Sequence, residues 1–291
     1  FTIFLNRNYP EEPHKSLFAE KDFRAALSMA INRQQMNDIL FFGLGEVHPA
    51  TPLKTLPWFD DAWYNEYLEY MPEKSNELLD GLGLTEKDSE GIRLFESGDR
   101  VSIIIQGFSI HMDGCELIAN DFRQVGVELI CQEATPDRIA ELRIDNAAMA
   151  TIWHLGRATL FGRGTPDDFA FVDASRHKWA AQWALWLINE GEPNEDGEIL
   201  GIEPPQEIKD LDALWDEFSL YPSDSPEAAE IGRDYFDYFA EEIPFVSTIG
   251  LGPQPVIYTN RLHNVPTEDI FWASDTNFYS PFHIEQWFFA E

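Results

Sequence analysis

The sequence predicts an α/β fold in which helices cover a sheet, and three observations carry that prediction. Residues 101–132 read as strand, helix, strand. Residues 22–43 carry apolar side chains at helical spacing. The chain of 291 residues is 44% hydrophobic and 14% aromatic, enough to bury a substantial core as one large or two moderate domains.

In chain order, FTIFLN (1–6) opens as a strand. Residues 22–43 follow as one predicted helix, with Phe23, Leu27, Ala30 and Ile31 on a buried stripe and Arg24, Asn32, Arg33 and Gln34 largely off it. Gly43 and Gly45 end it, and a loop containing Pro49, Pro52 and Pro57 comes next. A helix from about Pro72 to Leu82 has Pro in its first turn, Glu73 near its positive end, and Leu78, Leu79 and Leu82 facing inward. VSIIIQ (101–106) and VELICQ (127–132) are β-branched strands around a helix at 113–126. A right-handed crossover would make them a parallel pair. A helix at 136–144 leads to a third strand, AAMATIW (147–153), and residues 226–242 form a further helix.

The balance of 20 Lys plus Arg against 52 Asp plus Glu, a net charge of −32, repels nucleic acid and anionic lipid. A solvated acidic surface is the simple reading. No stretch has calcium-loop spacing, and NEDGE (194–198) reads as a turn. The seven His lack ligand spacing, so neither a metal nor a cofactor is expected. The longest apolar runs are too short to span a bilayer. With no initiator Met and no basic-then-apolar leader, an export signal is expected to have been removed or to lie outside these residues. Cys115 and Cys131 are too few for a disulfide scaffold or a zinc site. They are read as buried thiols, the alternative being a bridge that needs closely approaching Cα atoms.

Asp22, Arg24, Ala26, Leu27, Ala30, Ile31, Asn32 and Arg33, followed by Phe42-Gly43 and Pro49, are similar to the D-x-R-V-R-Q-A-L-x-x-A-I-D-R segment of the extracellular solute-binding proteins of ABC importers, family 5, which includes oligopeptide- and dipeptide-binding proteins. EYMPEKSNELLDGLGL (69–84), the W-x-x-W of Trp183 and Trp186 with Gly201, Glu203, Pro204 and Pro205, and the closing NRLHNVP and QWF resemble the same family, so the resemblance covers nearly the whole chain. It implies a periplasmic-binding-protein type II-like lobe with a mixed sheet flanked by helices. Members are usually much longer. Residues 1–240 are therefore expected to form lobe two of a two-lobed protein, and 241–291 to return toward lobe one, with an exposed edge or a non-native pairing in the final strands.

The same resemblance implies capture of a solute, an oligosaccharide or an oligopeptide, by a monomer that delivers it to membrane permease subunits in the periplasm or at the cell surface. Ligand groups belong at strand C-terminal ends and the loops that follow. The expected contacts are Trp153, His154 and Arg157, then Phe161 and Arg163 in the next loop, with Phe108, His111 and Asp113 after the first strand of the crossover. Trp183 and the loop residue Trp58 complete the set, and for each Trp plain core packing is the competing reading. Peptide-binding relatives carry W-x-x-D here, whose Asp receives the peptide amino terminus. This chain has Trp153-His-Leu-Gly156, which favours an oligosaccharide stacked on aromatic faces. The alternative functions are a glycoside hydrolase using paired carboxylates such as Asp60-Asp61 or Asp167-Asp168, and a ligand-sensing module on the same fold. No G-x-S-x-G, H-E-x-x-H or P-loop motif is present.

Overall fold

A computed structural model describes residues 1–49, 51–52, 54, 56, 58–155, 168–222, 224–252, 257–265 and 284–289. The first strand, β1 (Thr2–Leu5), alternates its side chains across the sheet, as strand geometry requires. Ile3 and Leu5 enter one core and Phe4 the other. Three short helices then follow: α1 (His14–Ala19), α2 (Lys21–Ala30) and α3 (Arg33–Phe41), with β2 at Glu46–Val47. The single helix expected over 22–43 is in fact two. The chain turns extended at Ile31, and Asn32 caps α3 by accepting the Gln35 N–H at 3.0 Å.

The arginines expected off the buried stripe are buried instead, because each guanidinium collects backbone carbonyls at element ends. Arg24, 1% exposed, donates from Nη1 to Phe18 O and Ala19 O at the end of α1, and from Nε to Ile243 O. Arg33, 2% exposed, donates to Ser28 O, Leu68 O and Ser247 O. The family-like signature is thus a set of structural clamps.

Helix α4 (Pro72–Gly81) packs on α2, and its Ser75 hydroxyl donates to Ala26 O at 2.8 Å. The crossover follows: β3 (Ser102–Gly107), α5 (Met112–Gln124) and β4 (Glu128–Glu133), with β3 and β4 parallel and Ile105 opposite Cys131. Next come α6 (Pro136–Ile144), β5 (Ala150–Trp153), α7 (Ala181–Ile188), α8 (Gln206–Ser219), α9 (Pro226–Glu242), β6 (Val246–Ser247), β7 (Ile249–Gly250), β8 (Leu262–His263) and β9 (Phe288–Phe289).

The main sheet is mixed, in the order β4-β3-β5-β1-β6, with β5 parallel to β3 and antiparallel to β1. One face, with Ile103, Ile105, Ala150 and Ile152, lies on an aliphatic core shared with α2 and α5. The other faces an aromatic core of Phe4, Phe169, Trp179, Tyr235, Phe236 and Phe245 with α7, α8 and α9. Helices on both faces leave the sheet ends to present function.

The sheet extends past residue 240, since β6 pairs with β1 and Phe245 joins the aromatic core. Farther on, β8 and β9 pair with each other, leaving Phe288 and Phe289 57% and 64% exposed. Cys115 and Cys131 form a disulfide with Cα atoms 6.1 Å apart, which corrects the expectation of two thiols. The crossover brings the first turn of α5 over β4, within bridging distance.

Candidate functional site

Parallel β3 and β5 end side by side, so the residues after them converge. Phe108 and Trp153 meet edge to face at 4.5 Å between ring centroids. His111, at the end of a one-turn helix Ser109–His111 leading into α5, lies 4.1 Å from Phe108, 5.7 Å from Trp153 and 6.3 Å from His154. Trp153 and Phe108 are half-buried and His154 is exposed, so the cluster has a solvent-facing side. Such rings offer flat apolar area for a ligand.

The sheet dictates this convergence down to a glycine. A Cβ on Gly107 would run into Ile152 Cγ2 and lie 3.1 Å from Met112 Cε and 3.3 Å from His111 Cβ. Only a residue without a side chain lets the chain turn this tightly from β3 toward α5. His111 is 1% exposed, and its Nδ1 has no hydrogen-bond partner among the described residues. Burial, with the charge of His154 adding, lowers its pKa from 6.5 to about 4, so it is a neutral imidazole at physiological pH.

Five of the expected site residues therefore fall at one end of the sheet: Phe108, His111, Trp153 and His154 in mutual contact, and Asp113 exposed in the first turn of α5. Two are elsewhere. Trp58, 3% exposed, packs against Trp63, Phe218 and Phe236, and Gly232 gives it room. Trp183, 8% exposed, lies in the aromatic core under the Arg7 guanidinium at 5.4 Å. Both follow the packing reading because their elements face that core. Arg157, Phe161 and Arg163 lie outside the described residues.

Phe1 was not expected at this end of the sheet. Antiparallel pairing of Thr2 with Trp153 brings its ring 5.6 Å from His111 and 5.8 Å from Phe41. Ile110, in the same turn, is 65% exposed. Strand pairing between residues 150 apart leaves no local trace, so only the apolar character of Ile110 and the tight Gly107-Phe108 turn were open to sequence reading.

Of the carboxylates named for hydrolysis, Asp60 and Asp168 have structural partners, Asp61 is exposed, and Asp167 lies outside the described residues. Asp60 Oδ1 accepts the Ala62 N–H at 2.8 Å, and Asp168 accepts the Lys178 ammonium at 2.5 Å in a buried pair. Among the described residues, no three His, Cys, Asp or Glu side chains converge to hold a metal ion, and no helix is long and apolar enough to cross a membrane. A cavity lined by Asn6, Arg143, Thr151 and Lys178 has room for about one water, too little for a solute.

This architecture is shared with known proteins. Across the full chain it is similar to an oligopeptide-binding protein, OppA, at 26% identity and a TM-score of 0.76, covering 46% of that protein. Over 92% of the chain it has the fold of a periplasmic oligopeptide-binding protein from Thermotoga maritima solved with mannohexaose, at 18% identity and a TM-score of 0.65, covering 47% of it. A probable ABC transporter-binding protein of Deinococcus radiodurans is 29% identical over 119 residues, 39% of this chain and 19% of that one. The chain thus spans about half the length of the solved structures and less of the curated relative. The model of the bacterial extracellular solute-binding proteins, family 5, matches residues 1–182, and the chain belongs to that family.

Proposed function

We propose that this chain is the second lobe of an ABC importer's solute-binding protein. It captures an oligosaccharide or oligopeptide against the Phe108–Trp153–His154 face, closes with a first lobe, and passes the solute to a permease powered by a separate ATPase. The aromatic cluster at the adjoining ends of β3 and β5 carries this reading. Family membership and relatives of about twice the length support a two-lobed protein, and because β6 and Phe245 still belong to this lobe, the return toward lobe one would begin after them rather than at residue 240. A periplasmic or cell-surface-anchored location fits both the extracellular family and a disulfide, which persists in oxidising compartments. Binding without turnover fits the structural use of Asp60 and Asp168.

Between the two solutes we favour the oligosaccharide. Where peptide-binding relatives place an Asp, this chain has Gly156, and the described rings suit the apolar faces of sugars. Thermal shift against mannohexaose and a nonapeptide tests this. A ligand at 100 times its Kd adds about 2.7 kcal/mol of stability. Trp153→Ala should abolish the mannohexaose shift while leaving the chain folded. A full shift in the variant overturns the site, a shift with peptide alone overturns the sugar preference, and no shift with either solute counts against the binding reading.

A further inference from the structure

The disulfide lies close to the site. Cys115 is in the first turn of α5, four positions after His111, and is fully buried. Its partner Cys131 stands in β4 directly opposite Ile105 of β3. Segment 106–114, which carries Phe108, His111 and Asp113, is therefore anchored to β4 at both ends, by the strand ladder at Ile105 and by the covalent bond at Cys115. Gly107 O is further held by the Ala134 N–H at 2.8 Å, just past the end of β4.

Past Gly107 the segment has few backbone bonds of its own, and His111 is held by ring packing on Phe108, Trp153 and Phe1. His111 precedes α5 without a side-chain cap, and its N–H donates to Phe108 O at 2.8 Å as the turn's backbone bond. Ser109 and Ile110 are exposed. On the opposite flank Gly114 abuts Met36, Leu40 and Phe1. The bridge thus fixes the side of the turn that α3 does not.

We propose that the Cys115–Cys131 disulfide is a positioning element of the solute site, holding segment 106–114 on β4 so that solute affinity depends on the bond being intact. The inference rests on the site assigned above. A dithiol opens the bond by a two-electron exchange: the S–S bond breaks, two protein thiols form, and the dithiol closes to its own cyclic disulfide.

Hydrogen exchange across the chain, before and after reduction with dithiothreitol at neutral pH, tests the positioning without any solute. The expected result is faster exchange concentrated in 106–114, with α2 and α4 unchanged. No change there, or an equal rise across α2, α4 and α5, overturns the proposal. Mannohexaose affinity of the Cys115→Ala/Cys131→Ala variant should fall at least tenfold. A Leu211→Ala variant, which loses stability in the other core, should keep it; equal losses in the two overturn the proposal. If the cysteine variant does not fold, the exchange measurement on the reduced native chain decides. If the oxidised chain binds no mannohexaose, the site reading fails while the exchange pattern still decides whether the bond positions the segment.

Discussion

Replacing Arg33 by Met should remove a large part of the chain's stability. The guanidinium donates from Nη1 to Ser28 O at 2.8 Å and Leu68 O at 3.1 Å, and from Nε and Nη2 to Ser247 O at 3.1 and 2.8 Å. It thereby joins the end of α2, the segment before α4 and strand β6. Met fills similar volume but donates nothing, so Leu68 O and Ser247 O lose their donor, each at about 1–3 kcal/mol, while Ser28 O keeps the Ile31 N–H at 3.3 Å. Relief of the charge's own burial offsets part of this, since burial is what lowers the pKa of Arg33 to about 9. A net loss of about 2–4 kcal/mol remains, against total stabilities of about 5–15 kcal/mol. Urea unfolding monitored by Trp fluorescence measures it, with an unchanged m-value certifying the comparison. Lys74→Met is the control, because its ion pair with Glu77 is 49% and 70% exposed and is worth under about 0.5 kcal/mol. A loss below about 1 kcal/mol for Arg33→Met would refute the clamp.

His111, neutral when folded and ordinary when unfolded, contributes stability that is fully present above pH 6.5 and is lost as pH falls toward about 4, because the unfolded chain binds the proton that the folded chain rejects. At about 1.4 kcal/mol per pH unit the loss is at most ~3.5 kcal/mol, less where water screens the ring. His111→Gln should flatten the stability profile between pH 6.5 and 4 relative to the wild type. Taking that difference cancels Asp212, whose pKa burial raises to about 6 and whose slope has the opposite sign; identical profiles would contradict the burial argument. Gly107→Ala should cost about 1–3 kcal/mol in urea unfolding, by forcing Ile152 and His111 away from a new methyl, and should change Trp153 fluorescence. An unchanged midpoint would mean the turn relaxes freely.

Where the sequence reading of the fold succeeded, the signal was local. The crossover strands and α6 were visible because β-branched runs and a Thr135–Pro136 helix start carry their own boundaries. Where it failed, the deciding partner was distant. Asn32 with Gln35 three residues on is a cap signal inside an apparently continuous helix, and it was passed over because the apolar spacing runs across it. Arg24 and Arg33 fall largely off the apolar stripe in sequence, and nothing local marks them as buried. Their carbonyl partners reach more than 200 residues away, to Ile243 and Ser247. The disulfide needed the same kind of knowledge, since 16 residues of separation says nothing of a 6.1 Å approach.

The site was legible in its members and illegible in its assembly. Strand-end placement picked out Phe108, His111, Trp153 and His154, yet nothing in the sequence says that β5 lies beside β3, since β4, the next strand in the chain, takes the other side. That topology explains why the family-like segment is silent about the solute. Its arginines lock α1, α2, β6 and the end of α9 into one frame, a task identical for a sugar or a peptide. On the proposed reading, ligand choice falls instead to the segments at the sheet's end, where the chain can change residues without breaking a clamp. The His-Leu-Gly after Trp153 is such a change. It leaves β5, its pairing with β1 and the aromatic cluster intact while removing the carboxylate that peptide-binding relatives place there. Restoring that acid with Gly156→Asp should therefore raise nonapeptide affinity relative to mannohexaose, and an unchanged ratio of the two affinities would count against this position as the one that selects the solute.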